Sequence, residues 1–490
     1  MPDRTDLPAP DAAPDAPRIG VDDWVAQAEE RRERGRGVSG FLGRGWESSP
    51  ASAKLLVLVG LASTLPFWLN EGDLFSYGLY TLLYATLALG LNIVVGFAGL
   101  LDLGYVAFYG LGAYTYALLS SEHYGIHWPT PAAMAAAMAV AAAVGLALGF
   151  TSRRLLGDYL AIVTLFFGQA FVAFANNANP KVAGEGLTGG SNGIANVDSL
   201  SFFGYELHTT EQYFYLLLIV FTLAASALFF LNQSRTGRAW RALREDPLAA
   251  EAMSMPVNRL KLLAFMFGAA TAGLMGTIFA SIQTAVVAGN FDTSLLITLY
   301  AIVILGGLGS ISGVIVGAIV INVTFEFLAP SSGHPELKRW LFYGVIILLL
   351  TRIRPWWRAA AVFVGTIAFG FAVHAIAHAI DPSWTSGHVV DAGRLAGAIE
   401  AWVILPTGKA KFDTVVYIGL VAAIIVVTQV RGWWRTIGMI PTLYLVAVVW
   451  ENVLVEQPAV TRLILFGALL IALMMARPQG LLGTARVEIV

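Results

Sequence analysis

The chain contains no cysteine, which excludes disulfide bonds, thiolate zinc sites and cysteine nucleophiles. Charged residues are scarce as well. They make up 13% of the 490 residues, whereas a soluble domain carries about a quarter. Hydrophobic residues make up 57%, and the formal net charge is −2. This composition indicates lipid rather than water as the main solvent, and it gives no sign of a nucleic-acid partner.

A nucleotide-binding P-loop is also missing. The one Gly-Lys pair, Gly408-Lys409, is followed by Ala410 instead of Ser or Thr, and the upstream glycine is absent. His374 and His378 have a spacing that can bind a metal, but no third ligand is nearby, which favours structural histidines. No nucleophile–base pattern is visible either. The sequence therefore predicts a protein with no catalytic residue, metal site or cofactor of its own, and not an enzyme.

Long apolar runs dominate what is present. Runs of about 17–25 residues can cross a bilayer as helices. Hydropathy therefore predicts an all-α polytopic integral membrane protein with about 12–14 crossings. The runs are 54–70, 75–97, 98–119, 131–150, 158–176, 212–232, 261–288, 294–309, 312–329, 339–354, 358–380, 412–430, 437–454 and 461–477.

The basic residues predict the orientation. Residues 1–50 show no signal-peptide pattern and are predicted to be a largely disordered extension, with several arginines just before the first run. Arg153, Arg154 and the arginines of the loop 232–261 fall on the same side when the crossings are counted. Because cytoplasmic loops carry an excess of Lys and Arg, we predict that both termini are cytoplasmic.

The loop 232–261 is the longest strongly charged segment between the first and last runs. Asp246-Pro247 in this loop is typical of a helix start, with a carboxylate at the N-cap and proline at the first helical position. A membrane protein needs no such element merely to stand in lipid, so we predict a docking element for a cytoplasmic partner. Four arginines recur every three residues and would form one stripe on a helix: Arg235, Arg238, Arg241 and Arg244.

Two apolar stretches, Gly90–Tyr114 and Ile304–Ala318, are crowded with glycine. Such stretches line translocation routes as discontinuous helices, or they let helices pack closely. Asp102 lies at the centre of the first stretch, where a structural role as a helix cap in a solvated pocket is favoured over a functional intramembrane carboxylate. A third Gly-rich segment, 184–194, predicts a carboxylate-binding nest, a packed plug or a contact for an external partner.

The end of the chain contains an apparent repeat. Residues 339–355 and 462–478 each combine an arginine, an aromatic-Gly pair, an apolar run and Arg-Pro. We interpret them as a duplicated terminal hairpin, although two unrelated helices with similar ends remain the alternative. The domain prediction is a core at 51–354, an additional membrane insertion at 355–460, and a final helix with the C-terminus at 461–490.

Six blocks occur in this order: GLNIVVGFAGLLDLGYVAFYGLGAYTYALL, GDYLAIVTLFFGQ, LTGGSNGI, GRAWRALREDPLAAEAM with RLKLLAF, AIVILGGLGS and RPQGLLG. Together they resemble LivM-type permeases of branched-chain amino acid ABC importers. The likeness covers about 54–354 and 461–483, and it implies a core of about ten helices in the bacterial inner membrane. It also implies a LivH-like second permease, two cytoplasmic ATPase subunits that bind ATP and Mg²⁺, and a periplasmic binding protein.

The resemblance also assigns roles to residues. The segment expected to enter a cleft of an ATPase subunit is Arg244, Glu245, Asp246, Pro247, Leu248, Ala249, Ala250, Glu251, Ala252 and Met253. The residues expected around the translocation route are Asn92, Gly96, Gly99, Asp102, Tyr105, Thr164, Gln169, Thr188, Gly189, Gly190, Ser191 and Asn192.

Several positions depart from the family pattern. Ser254 stands where a glycine usually follows the coupling segment, so the turn there is open to change. Gln169 replaces a frequent glutamate, and Gly289-Asn290 replaces a turn that usually contains proline. Leu100 and Tyr105 replace the Gln and His of some relatives.

Other functions stay open at this stage. A permease for urea or short amides would share this architecture. A self-contained secondary transporter or channel would need a buried ionisable relay, for which Asp102 is the candidate. A membrane-embedded enzyme fits least, because no catalytic cluster is evident.

Overall fold

The computed structural model describes residues 51–152, 158–177, 181–182, 185–202, 204–327, 356–389, 396–407, 410–430 and 432–454, with short pieces at 340, 342–344, 346–347, 350, 467 and 480–482. The predictions for 1–50, for most of 461–490 and for the second copy of the repeat lie outside these residues. The chain divides into two units, 1–65 and 66–490. Helix α1, Ala51–Ser63, represents the first unit.

The described part of the second unit consists mainly of helices. Their bounds are α2 Glu71–Phe97, α3 Tyr105–Leu119, α4 Thr130–Ser152, α5 Asp158–Asn177, α6 Thr210–Gln233, α7 Arg235–Glu245, α8 Pro247–Ala252, α9 Val257–Gln283, α10 Thr293–Gly306, α11 Ile311–Phe327, α12 Trp356–Ile380, α13 Ala396–Glu400, α14 Ala410–Gln429 and α15 Trp433–Val449. Helix α2 contains two π-helical segments, Leu74–Leu79 and Ile93–Phe97.

Among the described residues, nine helices are long and apolar enough to cross a membrane, and α11 is a shorter apolar helix. This confirms the predicted all-α polytopic fold. The predicted start of the apolar run 98–119 is wrong, because it is too early. The backbone leaves the helix after Phe97 and α3 starts only at Tyr105, because the Gly- and Asp-containing segment between them forms a turn.

The helices differ in how far the chain itself surrounds them. Of the most apolar 18-residue stretch of α2, 78% is buried inside the protein. In α14 the buried share of the corresponding stretch is 6%. Helix α2 packs against α6, α9, α10 and α11, and α9 packs against α3 and α4. Helices α2 and α9 are therefore central, while α14 presents its apolar side chains outward.

Close backbone contact joins α3 to α9. A Cβ atom on Gly112 would lie 2.2 Å from the carbonyl oxygen of Gly273, and one on Gly276 would lie 2.2 Å from that of Tyr109. Small residues let membrane helices approach in this way, since lipid provides no hydrophobic drive for their association. Tight packing therefore explains the C-terminal part of the first glycine-rich stretch.

The loops α3–α4, α5–α6 and α9–α10 meet at one end of the bundle, which we call the loop end. Val197 donates its backbone N–H to the carbonyl of Thr284 (3.0 Å), and Thr210 Oγ1 donates to Glu71 Oε1 (3.2 Å). Short antiparallel pairs complete it: β1 Ser120–Ser121 with β2 Ile126–His127, β3 Lys181–Val182 with β4 Glu185–Gly186, β5 Ile194–Ala195 with β8 Ala285–Val286, and β6 Ser201–Phe202 with β7 Tyr205–Glu206.

Helix α6 runs from the loop end to the arginine-bearing helix α7. Its 24 residues correspond to about 36 Å at 1.5 Å per residue. We call this opposite end of the bundle the basic end. Both ends are thus defined by described residues.

Helices α12, α14 and α15 lie within the segment predicted to be an insertion, and α15 packs against the other two. Ile399, Val403 and Leu405 from the α12–α14 connection pack with Tyr444 and Val448 of α15 into one apolar cluster. The group contacts the segment before it through Tyr343, whose hydroxyl donates to Glu451 Oε1 (3.2 Å), and through Phe342, whose ring stacks on Trp450 with 3.8 Å between centroids. His374 and His378, which the sequence predicts to be structural histidines, lie in helix α12 of this group. His378 Nδ1 forms a hydrogen bond with Thr385 Oγ1 at 2.7 Å.

The α3–α9 contact gives a stability prediction. Gly112→Ala should lower the free energy of unfolding by about 1–3 kcal/mol, as overpacking does in closely packed interiors. The added methyl would collide with the backbone of Gly273, which cannot rotate away as a side chain can. Thermal unfolding of the detergent-purified protein measures the change.

Gly419→Ala is the matched control, because Gly419 is also helical and nothing lies within 4 Å of its added Cβ. Equal stability of the two variants would contradict the close contact between α3 and α9.

Candidate functional site

The arginine stripe at the basic end forms as predicted on helix α7. Ser234 begins the helix, its Oγ accepting a hydrogen bond from the N–H of Gly237 (3.2 Å). Trp240 is fully buried and its Nε1 donates to the carbonyl of Leu260 (2.9 Å), which fixes α7 to α9. Arg238 and Arg241 lie on the exposed face and donate to the carbonyls of Gln233 and Asn232. Cations thus satisfy the carbonyl end of α6.

Helix α8 starts where the sequence predicted. Asp246 is the N-cap, and its Oδ1 accepts hydrogen bonds from the N–H groups of Leu248 (2.8 Å) and Ala249 (3.1 Å), with Pro247 in the first turn. Ala250 is buried and anchors the helix, while Leu248 is 70% exposed. Met253, just after the helix, is 76% exposed.

The remaining members of the predicted coupling segment lie on this exposed side or next to it. Glu245, Glu251 and Ala252 are exposed. The helix and the residue after it thus expose two large apolar side chains, Leu248 and Met253, beside charged residues.

Ser254 stands where the family usually has a glycine after the coupling segment, and the structure shows which turn it forms. It adopts φ +61, in the left-handed region, and its N–H donates to the carbonyl of Glu251 (2.9 Å). The left-handed turn that glycine favours after a helix is therefore kept with serine in its place.

Both glycine-rich stretches meet at Arg244. Its Nη1 donates to the carbonyl of Gly96 (2.5 Å), and Asn92 Oδ1 accepts from the N–H of Gly309 (2.9 Å). A Cβ on Gly99 would lie 2.8 Å from Arg244 Cγ, and one on Gly309 would lie 2.7 Å from Arg244 Nη1. We call Asn92, Gly96, Gly99, Arg244 and Gly309 the glycine junction. It connects α7 to the ends of α2 and α10.

The chain's last described residues also reach this region. Leu481 and Leu482 donate their N–H groups to the carbonyls of Leu305 (2.8 Å) and Gly306 (3.0 Å). A Cβ on Gly480 would lie 2.6 Å from the backbone of Gly307. Residues 480–482 of the RPQGLLG block thus cover the end of α10.

Asp102 lies in the turn before α3, as predicted, but its surroundings differ from the prediction. Its Oδ1 accepts from the N–H of Gly104 (2.9 Å), which is itself the N-cap residue of α3. The side chain is fully buried instead of facing a solvated pocket. Tyr300 donates to its carbonyl oxygen (2.6 Å), and Thr164 Oγ1 accepts from the N–H of Leu103 (2.9 Å). The turn formed by Asp102 and Leu103 therefore ties α3, α5 and α10 together.

Tyr105 is a buried contact as well. It starts α3 and its hydroxyl donates to the carbonyl of Leu87 (2.9 Å) in α2.

The Gly-rich loop forms a packed turn. Thr188 is buried and its Oγ1 donates to the carbonyl of Ala175 (2.8 Å) in α5. Gly189 has φ +68, and a Cβ there would lie 1.9 Å from the carbonyl oxygen of Gly193. Gly190 is buried too, whereas Ser191 and Asn192 are exposed at the loop end. This packing favours the plug among the three alternatives.

A cavity of about 310 Å³ lies between α2, α3, α9, α10 and α11 toward the loop end. One part of its wall is formed by aromatic rings: Tyr80, Tyr84, Tyr109, Phe279 and Phe325. The rest comprises Leu295 and the polar side chains Gln283, Asn290, Asp292, Ser294 and Thr298.

None of the predicted route residues lines this cavity. Gln169 is linked to the residue beside the lining by a hydrogen bond. Its Nε2 donates to Thr293 Oγ1 (2.6 Å), and Thr293 follows Asp292 in the sequence. One local signal was present in the sequence, the unusual Gly289-Asn290 turn, because Asn290 is part of the lining. The other lining residues were missed because they come from distant parts of the chain and form no local motif.

Comparison with known proteins places these features in a family. The family model described as "Branched-chain amino acid transport system / permease component" matches residues 74–350. The LivM high-affinity branched-chain amino acid transport system permease protein of Escherichia coli K12 is 37% identical over 324 residues, covering 60% of this chain and 72% of LivM.

Two Salmonella typhimurium permease proteins of the same named system also match. Its LivM is 36% identical over 320 residues, covering 60% of this chain and 72% of the relative. Its LivH is 25% identical over 282 residues, covering 54% and 88%. No solved structure matches the chain at a significant level.

The glycine junction gives a second prediction. Gly309 has φ +79, so Gly309→Ala should lower the free energy of unfolding by about 1–2 kcal/mol, the cost of a left-handed conformation for an L-residue. The methyl group would also displace the Arg244 guanidinium from Gly96. Thermal unfolding of purified protein reports the loss.

Gly289→Ala provides the comparison. Gly289 also lies in a turn, but it has no positive φ and nothing lies within 4 Å of its added Cβ. If both variants unfold at the same temperature, the close approach at Gly309 is wrong.

Proposed function

This chain belongs to the family of branched-chain amino acid transport system permease components, and we propose that it moves branched-chain or related small amino acids inward across the bacterial cytoplasmic membrane. It is a multi-pass permease subunit of an ABC importer. The names of its relatives support the substrate class, because LivM and LivH are both named as permeases of a branched-chain amino acid transport system.

The proposal includes the partners that such an importer needs. Two cytoplasmic subunits bind and hydrolyse ATP with Mg²⁺, a LivH-like permease completes the membrane part, and a periplasmic protein delivers the substrate. This chain contributes the route and the mechanical coupling, with no cofactor of its own. The likeness to both LivM and LivH supports the pairing of two related permeases.

Helix α8 is the observation that carries the coupling assignment. Its Asp246 cap and buried Ala250 hold the helix in place, while Leu248 and Met253 are exposed. Exposed apolar side chains beside charged ones suit a protein–protein contact with an apolar centre and a polar rim. We propose that α8 sits in a cleft of an ATPase subunit.

The route of transmission follows from the contacts of α7. Trp240 joins α7 to α9, and Arg244 joins it to the glycine junction at the ends of α2 and α10. A displacement of α8 by a closing ATPase would therefore reach these membrane helices through packed, hydrogen-bonded elements. Such a two-state rearrangement is what alternating access requires.

The orientation follows from the same assignment. If α8 contacts a cytoplasmic ATPase, the basic end is cytoplasmic and the loop end is periplasmic. The exposed arginines of α7 agree with this, because positive residues accumulate on the cytoplasmic side. With crossings as predicted from the sequence, both termini are cytoplasmic.

Charge on α8 tests the proposed function. Leu248→Glu should reduce ATP-driven leucine uptake at least about tenfold, because losing a central apolar contact of an interface costs about 2 kcal/mol or more. The measurement is uptake into proteoliposomes that contain all subunits. Asn258→Glu is the control, since Asn258 is also exposed and lies in the first turn of α9.

Other outcomes identify other functions. Unchanged uptake by Leu248→Glu would show that α8 is not the coupling element. Leucine transport by this chain alone on a proton or sodium gradient would replace the importer with a secondary transporter. Uptake of urea without leucine would change the cargo to short amides.

A further inference from the structure

We propose that the cavity between α2, α3, α9, α10 and α11 holds the permeating amino acid, with its ammonium group at Asp292 and its apolar side chain against Phe279, Leu295 and Phe325. This inference rests on the proposed function, and it adds a binding site within the route. Its volume of about 310 Å³ is at the lower end of small-molecule sites, about 300–1,000 Å³. One small molecule fits such a space.

The two sides of the cavity differ in chemistry. The ring of Tyr109 is almost completely buried and lies 5.3 Å, centroid to centroid, from that of Phe279, while Tyr80 and Tyr84 are 5.6 Å apart. Interlocked rings of this kind form a rigid apolar surface. The polar groups come from the end of α9 and the start of α10. A ligand with one apolar and one polar end matches this division.

Asp292 is a fixed anion on the polar side. Its Oδ1 accepts from the N–H groups of Ser294 (3.0 Å) and Leu295 (3.2 Å), which makes it the N-cap of α10. Among the described residues, none donates a hydrogen bond to Oδ2. The helix cap uses Oδ1, so Oδ2 can accept a hydrogen bond from a cationic donor. Hydrogen bonds between charged groups are stronger than those between neutral groups.

Tyr80 supplies a donor for the other charged group of an amino acid. Gln283 Nε2 donates to the Tyr80 hydroxyl, so the hydroxyl proton itself remains available to an acceptor. The Asn290 amide faces the same cavity and offers two further N–H donors. These neutral donors can bind the α-carboxylate of an amino acid, while Asp292 binds its ammonium group.

Gln169 is a positioning residue for this site. Its hydrogen bond to Thr293 Oγ1 (2.6 Å) connects α5 to the residue next to Asp292. The neutral amide also matters electrostatically, because a carboxylate there would add a second negative charge beside the proposed ammonium site.

The apolar side chain of the substrate would contact Leu295, Phe279 and Phe325, which line the cavity together. A hydrophobic pocket distinguishes substrates by one methylene group about 10–200-fold. The size of the residue at 295 should therefore set the ratio between leucine and valine transport. The periplasmic binding protein cannot cause such a change, because it is identical in every sample.

The test uses the complete importer in proteoliposomes, with leucine and valine as substrates. Asp292→Asn removes the charge but keeps an N-cap residue of equal quality, so the helix start is retained. It should lower uptake of both amino acids at least about tenfold, in line with a lost hydrogen bond to a charged group. ATP hydrolysis without substrate is measured in the same samples, and Ile297→Trp, outside the cavity lining, is the variant expected to keep the wild-type rate.

Leu295→Trp is the second variant and should lower the leucine-to-valine uptake ratio at least about tenfold. Ile297→Trp is its control, because Ile297 lies on the same helix, is 49% exposed and does not line the cavity. Leu295→Phe serves the same purpose if the tryptophan variant fails to assemble by size-exclusion chromatography.

The outcomes separate the two levels of the proposal. Wild-type uptake by Asp292→Asn, or an unchanged leucine-to-valine ratio in the Leu295 variant, overturns the cavity as the substrate site. If the wild-type complex shows no ATP-driven amino acid uptake at all, the proposed function fails first. Loss of uptake together with altered substrate-free ATP hydrolysis in Asp292→Asn would assign Asp292 to coupling and also overturn the site.

Discussion

The hydrogen bond from Arg244 to the carbonyl of Gly96 is the interaction on which the basic end depends. Backbone groups within a bilayer must find partners inside the protein. Helices α2 and α10 both end in glycine-containing turns, which expose such groups. At the end of α2, Arg244 donates to the carbonyl of Gly96. After the end of α10, Asn92 Oδ1 accepts from the N–H of Gly309, and the N–H groups of Leu481 and Leu482 donate to the last carbonyls of α10. Without these partners, two broken helices could not lie next to each other here.

The same arrangement is compatible with the proposed role of the short helix α8 in coupling. Helix α8 has only six residues and no stability of its own. It is held by the Asp246 cap and by Ala250, and α7 is held in turn by the buried Trp240. Packed, hydrogen-bonded elements move as units rather than deforming continuously. The rigid attachment of α7 thus matters as much for coupling as the exposed surface of α8.

Local signals could be predicted from the sequence, whereas pairings between distant segments could not. The helix start at Asp246-Pro247, the arginine stripe and most apolar helices depend on neighbouring residues. The meeting of the two glycine stretches at Arg244 joins residues 148 apart in sequence, and no periodicity encodes it. The buried setting of Asp102 depends on Tyr300, 198 residues away. The cavity was missed for the same reason, because its wall belongs to five helices and to the α9–α10 connection.

The cavity and the glycine junction lie on opposite parts of the same two helices. In α2, Tyr84 lines the cavity and Asn92 belongs to the junction; in α10, Thr298 lines the cavity and Gly306 ends the helix beside the junction. Each pair is separated by eight residues (92 − 84 and 306 − 298), or about 12 Å along the helix. A tilt of α2 against α10 at the junction must therefore change the cavity between them. Coupling and substrate binding then need no separate relay, because the two helices themselves connect the sites.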